Sequence, residues 1–232
     1  MIFRQLFDHE TWTYTYLMAD PVSKEALIID PVLEQMPLYQ QLLDELELGL
    51  KYALDTHVHA DHITASGLLA EKYGAITVQG KESQASGVGL HVTDGDKISF
   101  GSHTLIALST PGHTDDSYCY YLVSTEKRRL FTGDTLLIRG SGRTDFQNGD
   151  ARLQYDSIFE KLFTLPNETL IYPGHDYRGM TFSTIGEEKR FNPRLQVASR
   201  EEYVQQMNNL KLAYPRYIDV AVPANLRCGL PT

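Results

Sequence analysis

The sequence is short of several things. Only two cysteines, Cys119 and Cys228, stand in 232 residues. That excludes a disulfide framework and a Cys-x-x-Cys zinc ribbon, and both thiols are read as small core residues. No apolar run reaches the roughly 20 residues of a membrane span, so no membrane partner is expected. Basic residues are outnumbered, 21 against 30 acidic, and the net charge of −9 argues against a nucleic-acid surface. Any anionic ligand must therefore be met by a local basic pocket. The opening stretch, Met1-Ile2-Phe3-Arg4-Gln5-Leu6-Phe7, lacks the charged-then-apolar order of a leader. It reads as the first strand of the fold, with the cytoplasm as the expected compartment. There is no repeat and no low-complexity linker. The expectation is a single domain over 1–232, with 190–232 as a short C-terminal extension.

What is present is ordinary globular material, 42% apolar and 22% charged, which leaves room for a buried core and argues against disorder. Trp12 to Met18, Ala26 to Ile29 and Leu50 to Leu54 read as strands. Leu33 to Leu48 reads as a helix, with Leu38, Leu42 and Leu46 on one face at four-residue spacing. Ile63 to Tyr73 has helical composition and is stopped by Gly74. Further strands are expected at Lys97 to Phe100, Thr104 to Ser109, Ser117 to Val123, Arg129 to Phe131 and Thr169 to Tyr172, and a helix at Arg152 to Phe163. Tyr118, Tyr120 and Tyr121 are expected to pack in and beside their strand. Ser199-Arg200-Glu201-Glu202 is a capping box for a helix to about Leu210. The order fits an α/β protein of two β-rich halves with outer helices, a four-layer αββα sandwich.

The chemistry is concentrated in His57-Val58-His59-Ala60-Asp61-His62, directly after a predicted strand. Imidazole and carboxylate are the usual ligands of borderline divalent metals. Four such side chains in six residues are hard to explain as core, and an accidental histidine-rich loop is the bland alternative. Three later residues follow apolar strands beside glycine: His113 in Thr110-Pro111-Gly112-His113-Thr114, Asp134 in Phe131-Thr132-Gly133-Asp134-Thr135, and His175 in Tyr172-Pro173-Gly174-His175-Asp176. Each alone would pass for a loop residue; the repeated placement points to one metal site. Residue types alone permit two zincs. Gly140-Ser141-Gly142-Arg143 lacks the Gly-Lys-Ser/Thr of a phosphate loop, so nucleotide binding is not expected.

The ordered set His-x-His-x-Asp-His, Gly-His, Gly-Asp-Thr, Gly-His resembles the metallo-β-lactamase superfamily over roughly residues 12 to 180. Leu137 to Gln147, Ile171 to Tyr177, Asn192 to Leu195 and Val222 to Asn225 resemble one branch, the persulfide dioxygenases. That resemblance implies one Fe(II) per chain held by His57, His113 and Asp134, with His59, Asp61, His62 and His175 as supporting groups around it. It implies oxidation of glutathione persulfide by O2 to sulfite and glutathione, with Arg143, Tyr177 and Arg194 at the glutathione. For Arg143 the competing expectation is a structural pair with Asp145. The competing functions are a dizinc thioester hydrolase of the glyoxalase II type and a metal-binding scaffold without turnover. Only 57 residues follow His175, fewer than the glutathione-binding C-terminal region of glyoxalase II. A homodimer is a further expectation.

Overall fold

The alternation of apolar strands and helices is realised in a computed structural model that describes residues 1–124 and 127–231. In chain order the elements are β1 (Ile2–Phe7), β2 (Tyr14–Ala19), β3 (Glu25–Ile29), α1 (Met36–Glu45), β4 (Gly49–Leu54), α2 (Ser66–Tyr73), β5 (Ile76–Gly80), β6 (Leu90–Val92), β7 (Lys97–Phe100), β8 (His103–Ser109), β9 (Tyr118–Leu122), β10 (Arg129–Gly133), α3 (Ala151–Asp156), β11 (Leu170–Pro173), β12 (Ser183–Thr184), α4 (Ile185–Phe191), α5 (Arg200–Asn208) and α6 (Ile218–Asn225). The chain divides into two units. One comprises Met1–Val92, Ile98–Thr104 and Tyr214–Thr232, the other Thr93–Lys97 and Leu105–Ala213. The expected extension from 190 is thus split: its first part belongs to the second unit and its last part to the first. Among the described residues no helix is long and apolar enough to cross a membrane.

In the first unit the sheet runs β1-β2-β3-β4-β5-β6. β1 to β3 are antiparallel neighbours, and β3 to β6 are parallel. β2 is buried at every residue, as a strand covered on both faces must be. Short β5 and β6 escape the sequence reading because β5 is buried at four of its five residues and so shows no alternation, and β6 is only three residues long. The expected helix Leu33 to Leu48 is shorter, one 3-10 turn at Leu33–Gln35 followed by α1. Its buried seam is Tyr39 and Leu43, with Leu42 and Leu46 only partly covered. The roll follows the tyrosine: its hydroxyl bonds Thr15 Oγ1 at 3.0 Å and accepts from the Val32 amide at 2.9 Å, which a solvent-facing ring could not do. α2 ends as expected at Gly74, in the left-handed region at φ +69°, the conformation that favours glycine. It begins three residues late because the backbone of Ile63–Ala65 bonds elsewhere, to Leu33, Pro31 and Asn225.

The second unit carries strands in the order β12-β11-β10-β9-β8. β10 is antiparallel to β9 and parallel to β11. All five residues of β9 are buried, so its tyrosines pack as expected. Cys119 is buried there and Cys228 in the first unit, both as free thiols. Helices pack on this sheet through Leu130, Leu136, Ile158, Leu162, Ile171 and Tyr203. The expected helix Arg152 to Phe163 is α3, a π turn at Ser157–Lys161 and a 3-10 turn at Leu162–Thr164. Residues four apart share one face of a helix, and the Tyr155 and Phe159 rings stack at 4.1 Å. The cap is present: Ser199 Oγ accepts from the Glu202 amide, while the Glu202 carboxylate reaches back one residue beyond the cap and accepts from the Ala198 amide at 2.6 Å. α5 stops two residues before the expected Leu210.

Candidate metal centre

In the first unit the parallel strands β3 and β4 run directly into Asp30 and Asp55. Strand C-terminal ends are where open α/β sheets place their ligands. The loop after Asp55 carries His57, His59 and His62, all nearly inaccessible, and the half-exposed Asp61. Buried imidazoles need defined partners, and each has one. Thr56 donates its single hydroxyl hydrogen to Asp30 Oδ2 at 3.0 Å. His57 Nδ1–H therefore donates to Thr56 Oγ1, also at 3.0 Å, and Nε2 becomes the lone-pair nitrogen. His59 Nε2–H donates to Asp30 Oδ1 at 3.0 Å, which leaves Nδ1 as its lone-pair atom. His62 Nδ1–H donates to Asp61 Oδ2 at 2.8 Å, and Thr13 donates to the same oxygen at 3.1 Å. His59, Asp61 and His62 offer ligand atoms within 4.8 Å of one another.

Asp30 and Asp55 are the residues the sequence reading missed. Burial pushes Asp30 up to about 6, against the pull of the His57 imidazole, the Thr56 amide and hydroxyl, and the His62 imidazole. Burial likewise raises Asp55, opposed by His59 and by hydrogen bonds from Thr64 and Gln79, while Asp30 adds to the rise. The available signal was a carboxylate closing each apolar strand, Ile28-Ile29-Asp30 and Ala53-Leu54-Asp55. Asn225, which binds the loop's backbone, is marked in the sequence only by the resemblance of Val222 to Asn225.

In the second unit three strand ends converge, as expected. His113 lies in the turn after β8, Asp134 follows β10, and His175 follows β11. His113 Nδ1–H donates to the Arg143 carbonyl at 2.7 Å, so Nε2 is the lone-pair nitrogen, 3.6 Å from Asp134 Oδ2. The other oxygen, Oδ1, accepts from His175 Nδ1–H at 2.7 Å. Asp134 is thus oriented by His175 on one side and presents Oδ2 beside His113 Nε2 on the other. Glycine makes this approach possible. A Cβ on Gly142 would lie 2.4 Å from the Asp134 carbonyl and 2.7 Å from His113 Nδ1, and one on Gly174 would lie 2.8 Å from Asp134 Oδ1.

The three proposed glutathione contacts sit on the same unit in different states. Arg143 is already engaged. Its Nε and Nη2 donate to Asp145 at 2.6 and 2.8 Å, Nη1 donates to the Ala213 carbonyl at 2.7 Å, and the plane lies 4.6 Å from the Phe146 ring. The hydrogen bond to Asp145 holds the guanidinium above its usual range and the carboxyl below its own. The Asp145 pair foreseen as the alternative is therefore present. Arg194 donates to the Ser141 carbonyl, and burial lowers its pKa. Tyr177 is 63% exposed, its ring parallel to that of His175 within 7° at 6.2 Å. Arg139, which lies in the resembling stretch but was assigned no role, ties the same loop to Glu187 and Glu188.

Comparison with known proteins places this arrangement. The model of the metallo-β-lactamase superfamily matches residues 13–175. The human mitochondrial persulfide dioxygenase ETHE1 is 51% identical over 233 residues, covering all of this chain and 90% of the human one. The chain belongs to the metallo-β-lactamase superfamily and, within it, to the persulfide dioxygenase family. A crystal structure of ETHE1 from Myxococcus xanthus superposes with a TM-score of 0.95 at 54% identity, covering 99% of this chain and all of that one. The fold is accordingly the metallo-β-lactamase fold, two sheets flanked by helices, as expected. A probable hydroxyacylglutathione hydrolase of Schizosaccharomyces pombe is 33% identical over 218 residues, 81% of this chain and 84% of that protein. The identity to the dioxygenases is higher, about half of the residues, and spans the whole chain.

Proposed function

We propose that the chain is an iron-dependent persulfide dioxygenase that converts glutathione persulfide, O2 and water to glutathione, sulfite and two protons. The full-length identity to relatives named persulfide dioxygenases carries this reading. The proposed ligands are His57, His113 and Asp134, a two-histidine, one-carboxylate set suited to Fe(II). The donor chemistry fits: Nε2 is the lone-pair nitrogen on both histidines, and Asp134 keeps Oδ2 beside His113 while Oδ1 is taken by His175. Held there, iron would supply the means to pass electrons between the persulfide and O2.

The chain's own residues do the rest. His175 holds the Asp134 carboxylate in one orientation, Asp30 and Thr56 hold the His57 ring, and Asp61 holds His62. Such supports set ring orientation and ligand basicity. Glutathione brings carboxylates to a protein of net charge −9, so its capture needs local cations. Arg143, Arg194 and the hydroxyl of Tyr177 are the proposed contacts, an arginine fork matching a carboxylate bidentately. Arg143 would do so with its Asp145 pairing kept or exchanged. The proposed compartment is the cytoplasm and the proposed assembly a homodimer. The mammalian relatives are named mitochondrial, and fractionation of the native cell, with sedimentation of the purified protein, decides both.

The second reading, a dizinc thioester hydrolase, is favoured by one observation, the His59, Asp61 and His62 cluster. Metal analysis paired with oxygen uptake separates the readings. The expected result is about one iron per chain and persulfide-dependent O2 consumption. Two zincs with thioester hydrolysis and no O2 uptake would replace the dioxygenase by the hydrolase, and bound metal with neither activity would leave a scaffold.

A further inference from the structure

Asn225, the last residue of α6, is 1% exposed, and its amide is used from both ends. Oδ1 accepts from the Thr64 amide at 2.9 Å, while Nδ2 donates to the carbonyls of His59 at 2.9 Å and His62 at 2.8 Å. All three partners lie on the loop that carries His57, His59, Asp61 and His62. A carboxylate cannot donate to two carbonyls and an apolar side chain can do neither, so the position asks for an amide. The segment after it presses onto the same region. The Gly67 amide donates to the Cys228 carbonyl at 2.9 Å. A Cβ on Gly67 would lie 2.6 Å from that oxygen, and one on Gly229 1.9 Å from the Thr64 carbonyl. The loop's far end is closed by Thr64 Oγ1 donating to Asp55 Oδ1 at 2.7 Å.

We infer that Asn225 is a positioning residue for the metal site: by holding the His59 and His62 carbonyls it sets the course of the loop, so that the His57 imidazole, on the same loop, stands at its ligating angle before a metal arrives. This rests on the proposed metal site. A residue that merely fastened the C-terminal segment would affect stability; a positioning residue affects the metal's affinity and coordination at a given stability.

The test uses Co(II) on the metal-free full chain, read as affinity by chelator competition, as the d–d absorption spectrum, and as the thermal midpoint without metal. Asn225→Asp keeps the acceptor for Thr64 but sets oxygen against two carbonyl oxygens, and Asn225→Ser withdraws the amide altogether. Ser86→Ala is the control, because Ser86 Oγ donates to the Leu226 carbonyl on the same segment at 3.2 Å without touching the loop. Both Asn225 variants should bind Co(II) roughly ten- to a hundredfold more weakly, the loss typical of removing a ligand's support, with a shifted spectrum. Ser86→Ala should keep the normal affinity and spectrum. Unchanged Co(II) binding in a folded Asn225 variant would overturn the inference. So would equal loss in Ser86→Ala, or failure of both Asn225 variants to fold without metal, which would assign the residue to core packing. If the unsubstituted chain bound no Co(II), the metal site itself would fall, and this inference with it.

Discussion

The first unit braces its histidines from beneath, and the second lets its site residues brace one another. In the first, one short loop delivers four candidate groups, and two fully buried carboxylates, Asp30 and Asp55, stand under it. In the second, three separate turns deliver one group each. The turns are locked by backbone contact, Gly142 against His113 and Asp134, and by the His175 to Asp134 bond. A loop dense in imidazole cannot bring its residues together without desolvating polar groups, so it needs buried partners. Strand ends already fixed by a sheet need only small residues at their crossings. The first arrangement concentrates electrostatic cost, and the second concentrates steric demand.

The largest effect should separate ligand from support within the second unit. His113→Ala should lose nearly all iron, whereas His175→Ala should keep most of it and lose activity, since the residue reaches Asp134 through a hydrogen bond. Iron content and O2 uptake measured on the same samples decide this, and equal iron loss would erase the distinction. Next comes the buried charge of the first unit. Asp30→Ala leaves the Thr56 and His59 donors without their acceptor, and removal of one member of a buried charged network costs about 3–5 kcal/mol. Denaturant unfolding of metal-free protein reads it, and a loss below 1 kcal/mol would show that the loop does not depend on that carboxylate.

Arg143→Ala should lower kcat/KM for glutathione persulfide through KM at normal iron content, by roughly 1.5–3 kcal/mol or about ten- to a hundredfold. Arg143→Lys should recover only part. Iron loss or unfolding instead would assign the guanidinium to its Asp145 and Ala213 contacts. Gly142→Ala tests the steric half of the comparison. Its Cβ must push aside His113 or the Asp134 backbone, with a stability cost of about 1–3 kcal/mol and a larger proportional loss of iron. A normal iron content would mean the turn gives way freely.

The smallest effect is expected at Asp20, whose carboxylate lies beside His103 and not beside the candidate metal ligands. Hydrogen bonds from the Ser102 hydroxyl and amide, and from the Ser23 and Val22 amides, hold the Asp20 carboxyl well below its usual range. A depressed acid stabilises the fold above its unfolded pKa, near 4, and that contribution fades as pH falls through the folded value. Asp20→Asn should therefore melt earlier than the parent at pH 7, with the gap narrowing below about pH 4 and iron content unchanged. A gap independent of pH would reassign the effect to packing.

Legibility in the sequence followed the same divide. The His57 to His62 loop is local and chemically dense, so its run announces itself, and His113, Asp134 and His175 were found because each follows an apolar strand beside glycine. Asp30 and Asp55 were missed because a carboxylate after a strand resembles a turn residue until burial is known, and Asp30 stands 29 positions from His59. Gly142 stands in the sequence only as part of a glycine-rich run unlike a phosphate loop; its meaning lies in the Asp134 backbone and His113 ring it admits. Among the elements, α1 was found with its seam misplaced. Leucine spacing marks a helix, but the hydroxyl of Tyr39 with its two buried partners chose which face turned inward. β5 and β6 were lost because β5 is buried at four of its five residues and β6 is only three residues long.

The first unit is assembled from both ends of the chain, and this has a consequence in time. Thr64 and Asn225 are 161 positions apart. At synthesis rates of about 5–20 residues per second, roughly 8–30 s separate the appearance of the histidine loop from that of the side chain that ties it down. Throughout that interval the nascent chain holds its imidazoles without their final tether. The fastening of this loop waits on the translation of α6.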